Sequence, residues 1–188
     1  MVGARTTPAA ALVAALALTA CGAATPRSAA PSRAATDRAL RGSPPALAAL
    51  HRQRGELLTA SPHAFQARLR SLRGHAIVVN KWAAWCGPCR SEFPFLQRLG
   101  VSLGRRVAFV GVDGNDDASA AHRFLRRYPV TYPSYADPEG EIARVIEASL
   151  AFPTTVFYDA RGRLTFVHQG AYPSQAKLRE DIRRYAGV

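Results

Sequence analysis

Two runs of apolar residues interrupt the mixed polar and apolar pattern of the chain. Ile77 to Trp82 and Arg106 to Val112 each fit a strand buried on both faces. Thr154 to Tyr158 predicts a third strand, Asp159-Ala160-Arg161-Gly162 a tight turn, and Leu164 to His168 the returning strand of a hairpin. Helical spacing fills the intervals. Phe65, Leu69 and Leu72 follow Ser61-Pro62, an N-cap with proline at the first helical position, and Gly74 stops that helix. Ala46 to Leu58, with apolar residues at 47, 50, 57 and 58, predicts a helix before it. Glu92 to Leu99, Ala118 to Tyr128, Glu141 to Glu147 and a segment capped by Ser174 and running through Tyr185 predict four more. Asp137-Pro138-Glu139-Gly140 reads as a turn. Strands alternating with helices, then a terminal hairpin and helix, predict an α/β fold with a mixed central sheet flanked by helices.

The first 45 residues read differently. Arg5 gives a positive start, Ala9 to Ala17 is a short apolar stretch, and small residues lead to Cys21. That is the anatomy of a secretory signal, too short to span a bilayer. Leu18-Thr19-Ala20-Cys21 resembles the bacterial lipobox, which implies cleavage before Cys21 and diacylation of its sulfur. Two or more acyl chains at about 0.8 kcal/mol per buried CH₂ hold a protein durably on a membrane. Residues 22–45 are rich in Ala, Pro, Ser, Thr and Arg without apolar periodicity. The expected organisation is a signal peptide over 1–20, a lipid-anchored flexible linker over 21–45 and one folded domain over 46–188.

Composition refines this only slightly. The chain has 188 residues, 48% of them hydrophobic, enough for one ordinary core plus an extra segment. The formal charge of +12 comes almost wholly from arginine, since Lys81 and Lys177 are the only lysines. No basic run is interleaved with aromatics, so the charge does not describe a nucleic-acid groove. It suits weak attraction to anionic lipid headgroups.

The chemistry lies at Trp85-Cys86-Gly87-Pro88-Cys89, between the first strand and a helix-like run from Arg90. Two cysteines spaced C-x-x-C can close a disulfide ring and reopen it, and at a strand-to-helix junction they read as a redox-active dithiol. Exchange needs an exposed, ionised sulfur. A helix N-terminus favours that charge, and sites of this type have thiol pKa values of roughly 3.5 to 7.5 against about 8.5 for free cysteine. Cys86 is therefore the expected attacking sulfur and Cys89 the resolving one. A static disulfide and half of a zinc site are the competing readings; a static bridge would not require the Trp-Cys-Gly-Pro-Cys context, and zinc needs four ligands. There is no second cysteine pair, and the five histidines show no paired spacing.

The pentapeptide resembles the active site of the thioredoxin superfamily. The wider string from Val79 to Pro94 resembles its TlpA/ResA branch of membrane-anchored, extracytoplasmic proteins, and the similarity spans roughly residues 74–186. The resemblance implies a thioredoxin-like fold with a core over about 74–186 and an added helix and strand around 113–150. It implies that Trp85, Gly87, Pro88, Phe152 and Pro153 meet the substrate, with Pro153 in cis facing the dithiol and Phe152 offering its backbone to an extended chain. It implies that Glu92 moves protons for the sulfurs, because Asn80 replaces the buried aspartate of thioredoxins proper. Two features depart from the branch. Lys81 takes a position that is usually apolar, and 46–73 reads as helical where the family has a hairpin.

The expected function is thus an extracytoplasmic protein-disulfide oxidoreductase without organic cofactor or metal. Its partners would be exported proteins with cysteines or disulfides, apocytochrome c among the candidates, and a membrane redox partner of the DsbD/CcdA or quinone-linked type. Two rivals are a thiol peroxidase and a Sco-like copper chaperone. The first needs a Pro/Thr-rich loop with an arginine around its cysteine, and the second uses C-x-x-x-C plus a distant histidine.

Overall fold

The computed structural model describes residues 1–3 and 31–188; the expected signal segment and Cys21 lie outside the described residues. Six strands form one sheet in the order β1-β4-β3-β2-β5-β6. They are β1 (Leu57–Thr59), β2 (Ala76–Trp82), β3 (Val107–Gly114), β4 (Ser134–Asp137), β5 (Thr154–Tyr158) and β6 (Leu164–Gln169). The first four in sheet order are mutually parallel, while β5 and β6 pair antiparallel. The mixed sheet expected from the pattern is therefore present.

Every residue of β2, β3 and β5 is buried. Period-two alternation sends Ala76, Val78, Trp82, Val107 and Phe109 to one face of the sheet. There they meet α4 (Gly87–Leu103), α5 (Ala118–Arg127) and α7 (Gln175–Asp181), the last continuing as a π-helical turn over Ile182–Ala186. Ile77, Val79, Ala108, Val110 and Val112 face the other way, onto α2 (Pro45–Arg52), α3 (Pro62–Ser71) and α6 (Glu141–Val145).

The N-terminal part differs from expectation in two places. The segment read as linker up to residue 45 contains α1 (Arg33–Leu40), whose N-cap Ser32 accepts from the Ala35 N–H. Its buried side chains are only Thr36 and Leu40. Leu40 lies where a Cβ on Gly104 would stand, 2.8 Å from its Cδ2, so the missing side chain at the end of α4 makes the seat for α1. His51 of α2 spans the same junction, with its ring nitrogens 3.0 Å from the Gly104 carbonyl and 3.1 Å from that of Thr131. The helix expected over 46–58 stops at Arg52, because Leu57 and Leu58 pair with Ser134 and Tyr135 as an edge strand.

The strand β4 sits against a glycine. A Cβ on Gly111 would meet Ser134 Oγ at 2.1 Å and Trp82 Nε1 at 3.1 Å. Trp82 Nε1 donates to that same Ser134 hydroxyl at 3.1 Å. Neither group can withdraw, as both are fully buried. Gly111→Ala should destabilise the chain by about 1–3 kcal/mol through overpacking. Chemical denaturation would read this as a lowered midpoint at unchanged slope, and a wild-type midpoint would contradict it.

Candidate active site

The parallel strands β2, β3 and β4 all end on one edge of the sheet, where open α/β sheets place their sites. Because β5 runs antiparallel, it starts at that edge, with Lys81 opposite Thr154. The turn after β2, the turn after β3 and the residues before β5 therefore converge.

Cys86 and Cys89 are joined in a disulfide, with Cα atoms 5.3 Å apart. Cys86 is the N-cap of α4, and its sulfur accepts the Cys89 N–H at 3.1 Å. The helix begins three residues earlier than the run from Arg90 suggested, which puts both cysteines on its first turn. A first-turn N–H that has no partner within the helix and the positive end of the helix dipole thus point at the sulfur that must carry charge when the bridge opens. Cys89 is fully buried, as expected of the resolving thiol. Cys86 is less open than the exposed sulfur predicted from the chemistry, at 3% exposure. Access comes past its neighbours, since Trp85, Gly87 and Pro88 are exposed.

Groups from the turn after β3 and from α4 hold the dithiol loop. Asp116 accepts the Ala84 N–H, the Trp85 indole donates to the Asn115 carbonyl at 3.0 Å, and Arg90 donates to the Ala84 carbonyl at 2.9 Å. Asn115 has a left-handed backbone, φ 52°, which asparagine tolerates better than most residues. Phe152 meets Trp85 edge-on, with ring centroids 5.0 Å apart, and the Phe152–Pro153 peptide is cis.

Glu92 lies beneath this surface at 0% exposure. It belongs to the buried stripe of α4 that includes Cys89, Phe93 and Leu96. Asn80 donates to its Oε1 at 2.7 Å, and the Tyr172 N–H donates to Oε2 at 3.1 Å. Asn80 also donates to Thr155 Oγ1 at 3.3 Å. The loop carrying Tyr172 is fixed in turn, as the phenol donates to Asp181 at 3.1 Å and Lys177 donates to Asp181 at 2.9 Å. Burial pushes the Glu92 carboxyl up to about 7, although both hydrogen bonds favour its charged form. A carboxyl poised there can take a proton near neutral pH and return it.

Asp113, at the end of β3, is a second buried carboxyl that the sequence reading passed over. Burial, and then the charge and hydrogen bonding of Asp116 and the charge of Asp137, push it up to about 8. An aspartate closing a fully apolar strand at the site's edge is the signal that could have pointed to it. Every expected site residue of the domain, namely Trp85, Cys86, Gly87, Pro88, Cys89, Glu92, Phe152 and Pro153, stands at this end of the sheet or on the first turns of α4. Cys21 lies outside the described residues.

The family model described as Redoxin matches residues 45–182. The chain belongs to the redoxin family. This redoxin is 31% identical to the thiol-disulfide oxidoreductase ResA of Oceanobacillus iheyensis over 107 residues, covering 55% of the present chain and 54% of ResA. It is 37% identical over 94 residues to the thiol:disulfide interchange protein DsbE homolog of Paracoccus denitrificans, covering 50% of each. The chain thus spans about half the length of these relatives. Among solved structures, a secreted Mycobacterium tuberculosis disulfide oxidoreductase homologous to E. coli DsbE superposes with a TM-score of 0.54 at 31% identity, over 61% of this chain and 85% of that one. The redoxin fold here is thioredoxin-like, and within that superfamily the chain is of the TlpA/ResA type.

Proposed function

We propose that this redoxin is an exported, membrane-anchored thiol–disulfide oxidoreductase acting on proteins outside the cytoplasm. The observation that carries the reading is the Cys86–Cys89 pair at the N-terminus of α4, flanked by exposed Trp85 and backed by the buried Glu92. In the reduced protein the Cys86 thiolate attacks one sulfur of a partner disulfide. A Cys86–partner disulfide forms and the partner's other sulfur leaves as thiolate. Cys89 loses its proton toward Glu92 and attacks the Cys86 sulfur, which re-forms the observed bridge and frees the second partner thiol. Two electrons pass from the protein to its partner, and the same steps in reverse oxidise a partner dithiol. A membrane protein of the DsbD/CcdA or quinone-linked type would reset the dithiol.

The anchor belongs to the same proposal. Residues 1–20 would be removed as a signal and Cys21 acylated, which leaves the domain outside the membrane, where thiols are not governed by cytosolic reductants. Reduction of a protein disulfide by the dithiol form tests the activity. Labelled palmitate and cell fractionation test the anchor. Wild-type protein should carry label and sediment with membranes, while Cys21→Ser should carry none and appear in the soluble fraction or unprocessed. Equal label in both would sink the lipidation.

A further inference from the structure

Lys81 is a buried lysine that the exchange chemistry does not use. It is 1% exposed, and among the described residues no carboxylate forms an ion pair with it. Its Nζ lies 3.9 Å from the centroid of the Phe152 ring and donates to the Ser149 carbonyl at 3.4 Å. Burial lowers its pKa from the ordinary lysine value, against the opposing charge of Asp137. An ammonium taken out of water without a paired carboxylate costs stability, and an apolar side chain of similar length would fill the same space without that cost.

Both contacts fall on one segment. Ser149 and Phe152 bracket the approach to Pro153, and Lys81 stands opposite Thr154 in the sheet. Thr154 Oγ1 donates to the Ala151 carbonyl at 2.7 Å, and the Gly170 N–H donates to the Pro153 carbonyl at 2.8 Å. Gly114 leaves room for the arrangement. A Cβ there would meet the Phe152 ring at 3.0 Å and the Lys81 stem at 3.7 Å. Phe152 in turn meets Trp85, which is 56% exposed, and Leu150 two residues upstream is 84% exposed.

We propose that Lys81 is a positioning residue for substrate. Through Phe152 it fixes the Leu150–Pro153 segment and Trp85 as a platform for an extended partner chain with an apolar side chain beside its reactive cysteine. Lys81 itself touches no reacting atom. The inference rests on the exchange activity proposed above.

The test uses the full-length protein as wild type, Lys81→Met, Phe152→Leu and the double variant. Insulin serves as the protein disulfide and dithiobis(nitrobenzoate) as a small one that needs no platform. Lys81→Met should raise KM for insulin roughly fivefold, the scale of one lost cation–π contact, with kcat unchanged. The rate with the small disulfide should stay at the wild-type value, and the melting temperature should not fall. In the Phe152→Leu background the lysine substitution should add nothing. A wild-type KM in Lys81→Met overturns the proposal, as does an equal loss with both disulfides. If Lys81→Met does not fold, Lys81→Gln, which also takes the cation away from the Phe152 ring, must show the same rise in KM with an unchanged small-disulfide rate. Wild-type protein inert toward both disulfides would remove the underlying activity, a result distinct from active protein indifferent to Lys81.

Discussion

Cys86→Ser should lower protein-disulfide exchange by at least about 10³-fold, because a serine hydroxyl in the same place is too weak a nucleophile. The loss should be complete in practice, since Cys89 is fully buried and cannot take over the attack. Cys89→Ser should fail differently. Cys86 keeps its place at the head of α4, where the amide of residue 89 can still donate to its sulfur. It attacks a partner, and nothing then releases that partner. The covalent adduct should accumulate and be visible as a reductant-sensitive band on a non-reducing gel. Its mass would identify the partner. Adducts on Cys89 in the Cys86→Ser protein would reverse the two roles.

Glu92→Gln should produce the next largest change. With the Glu92 carboxyl at about 7 in the folded chain against 4.5 in its ordinary state, the folded protein binds more protons than the unfolded one between those values. Stability therefore falls as pH rises from about 4.5 to about 7 and stays lower above that, by up to about 3 kcal/mol. Glutamine carries no charge to bury. The oxidised Glu92→Gln protein should match wild type near pH 5 and be the more stable of the two at pH 8. Exchange should move in the opposite sense. Without a carboxylate to take the proton from Cys89, the resolving step should slow by about a hundredfold. The rise in rate through neutral pH should also disappear. Denaturation at the two pH values and quenched-flow alkylation across the range check both parts. Parallel pH profiles for the two proteins would refute the role.

The partner of that carboxyl suits such a cycle. An asparagine amide faces a carboxylate with its NH₂ and, turned over, faces a carboxylic acid with its oxygen. Asn80 Oδ1 has no hydrogen-bond partner in the present orientation, so the alternative is open to it. An aspartate in its place would be a second acid competing for the same proton.

The parts of this architecture that show in the sequence are those whose cause is local. β2, β3 and β5 are buried on both faces and read as nearly unbroken apolar runs. The dithiol is legible because its chemistry needs only neighbours in the chain and the helix start that Pro88 favours. Glu92 is legible only through the resemblance of Val79 to Pro94 to the TlpA/ResA branch, and its place in the buried stripe of α4 beside Cys89 and Leu96 shows in the fold alone. What does not show depends on distant groups. β1 has three residues, and its Leu57 and Leu58 are apolar like Leu47 and Leu50, so that a helix reading absorbs them. β4 is Ser-Tyr-Ala-Asp, and Ser134 is buried only because Gly111 and Trp82 receive it. α1 buries only Thr36 and Leu40, and Leu40 seats against a glycine at the far end of α4. The burial of Lys81 follows from Phe152 and Gly114, which local periodicity does not contain.

The early start of α1 sets a length scale for the whole protein. Ser32 already belongs to the folded domain as a helix cap, so about ten residues separate it from Cys21. Ten residues span at most about 35 Å even fully extended, where the two dozen read as linker would span more than twice that. With the proposed lipid on Cys21, the dithiol would patrol a shallow layer above the bilayer and meet membrane-bound partners at an effective concentration of about millimolar. Proximity would then decide among clients before recognition does, and freely diffusing proteins would compete poorly with those already tethered to, or emerging from, the same membrane.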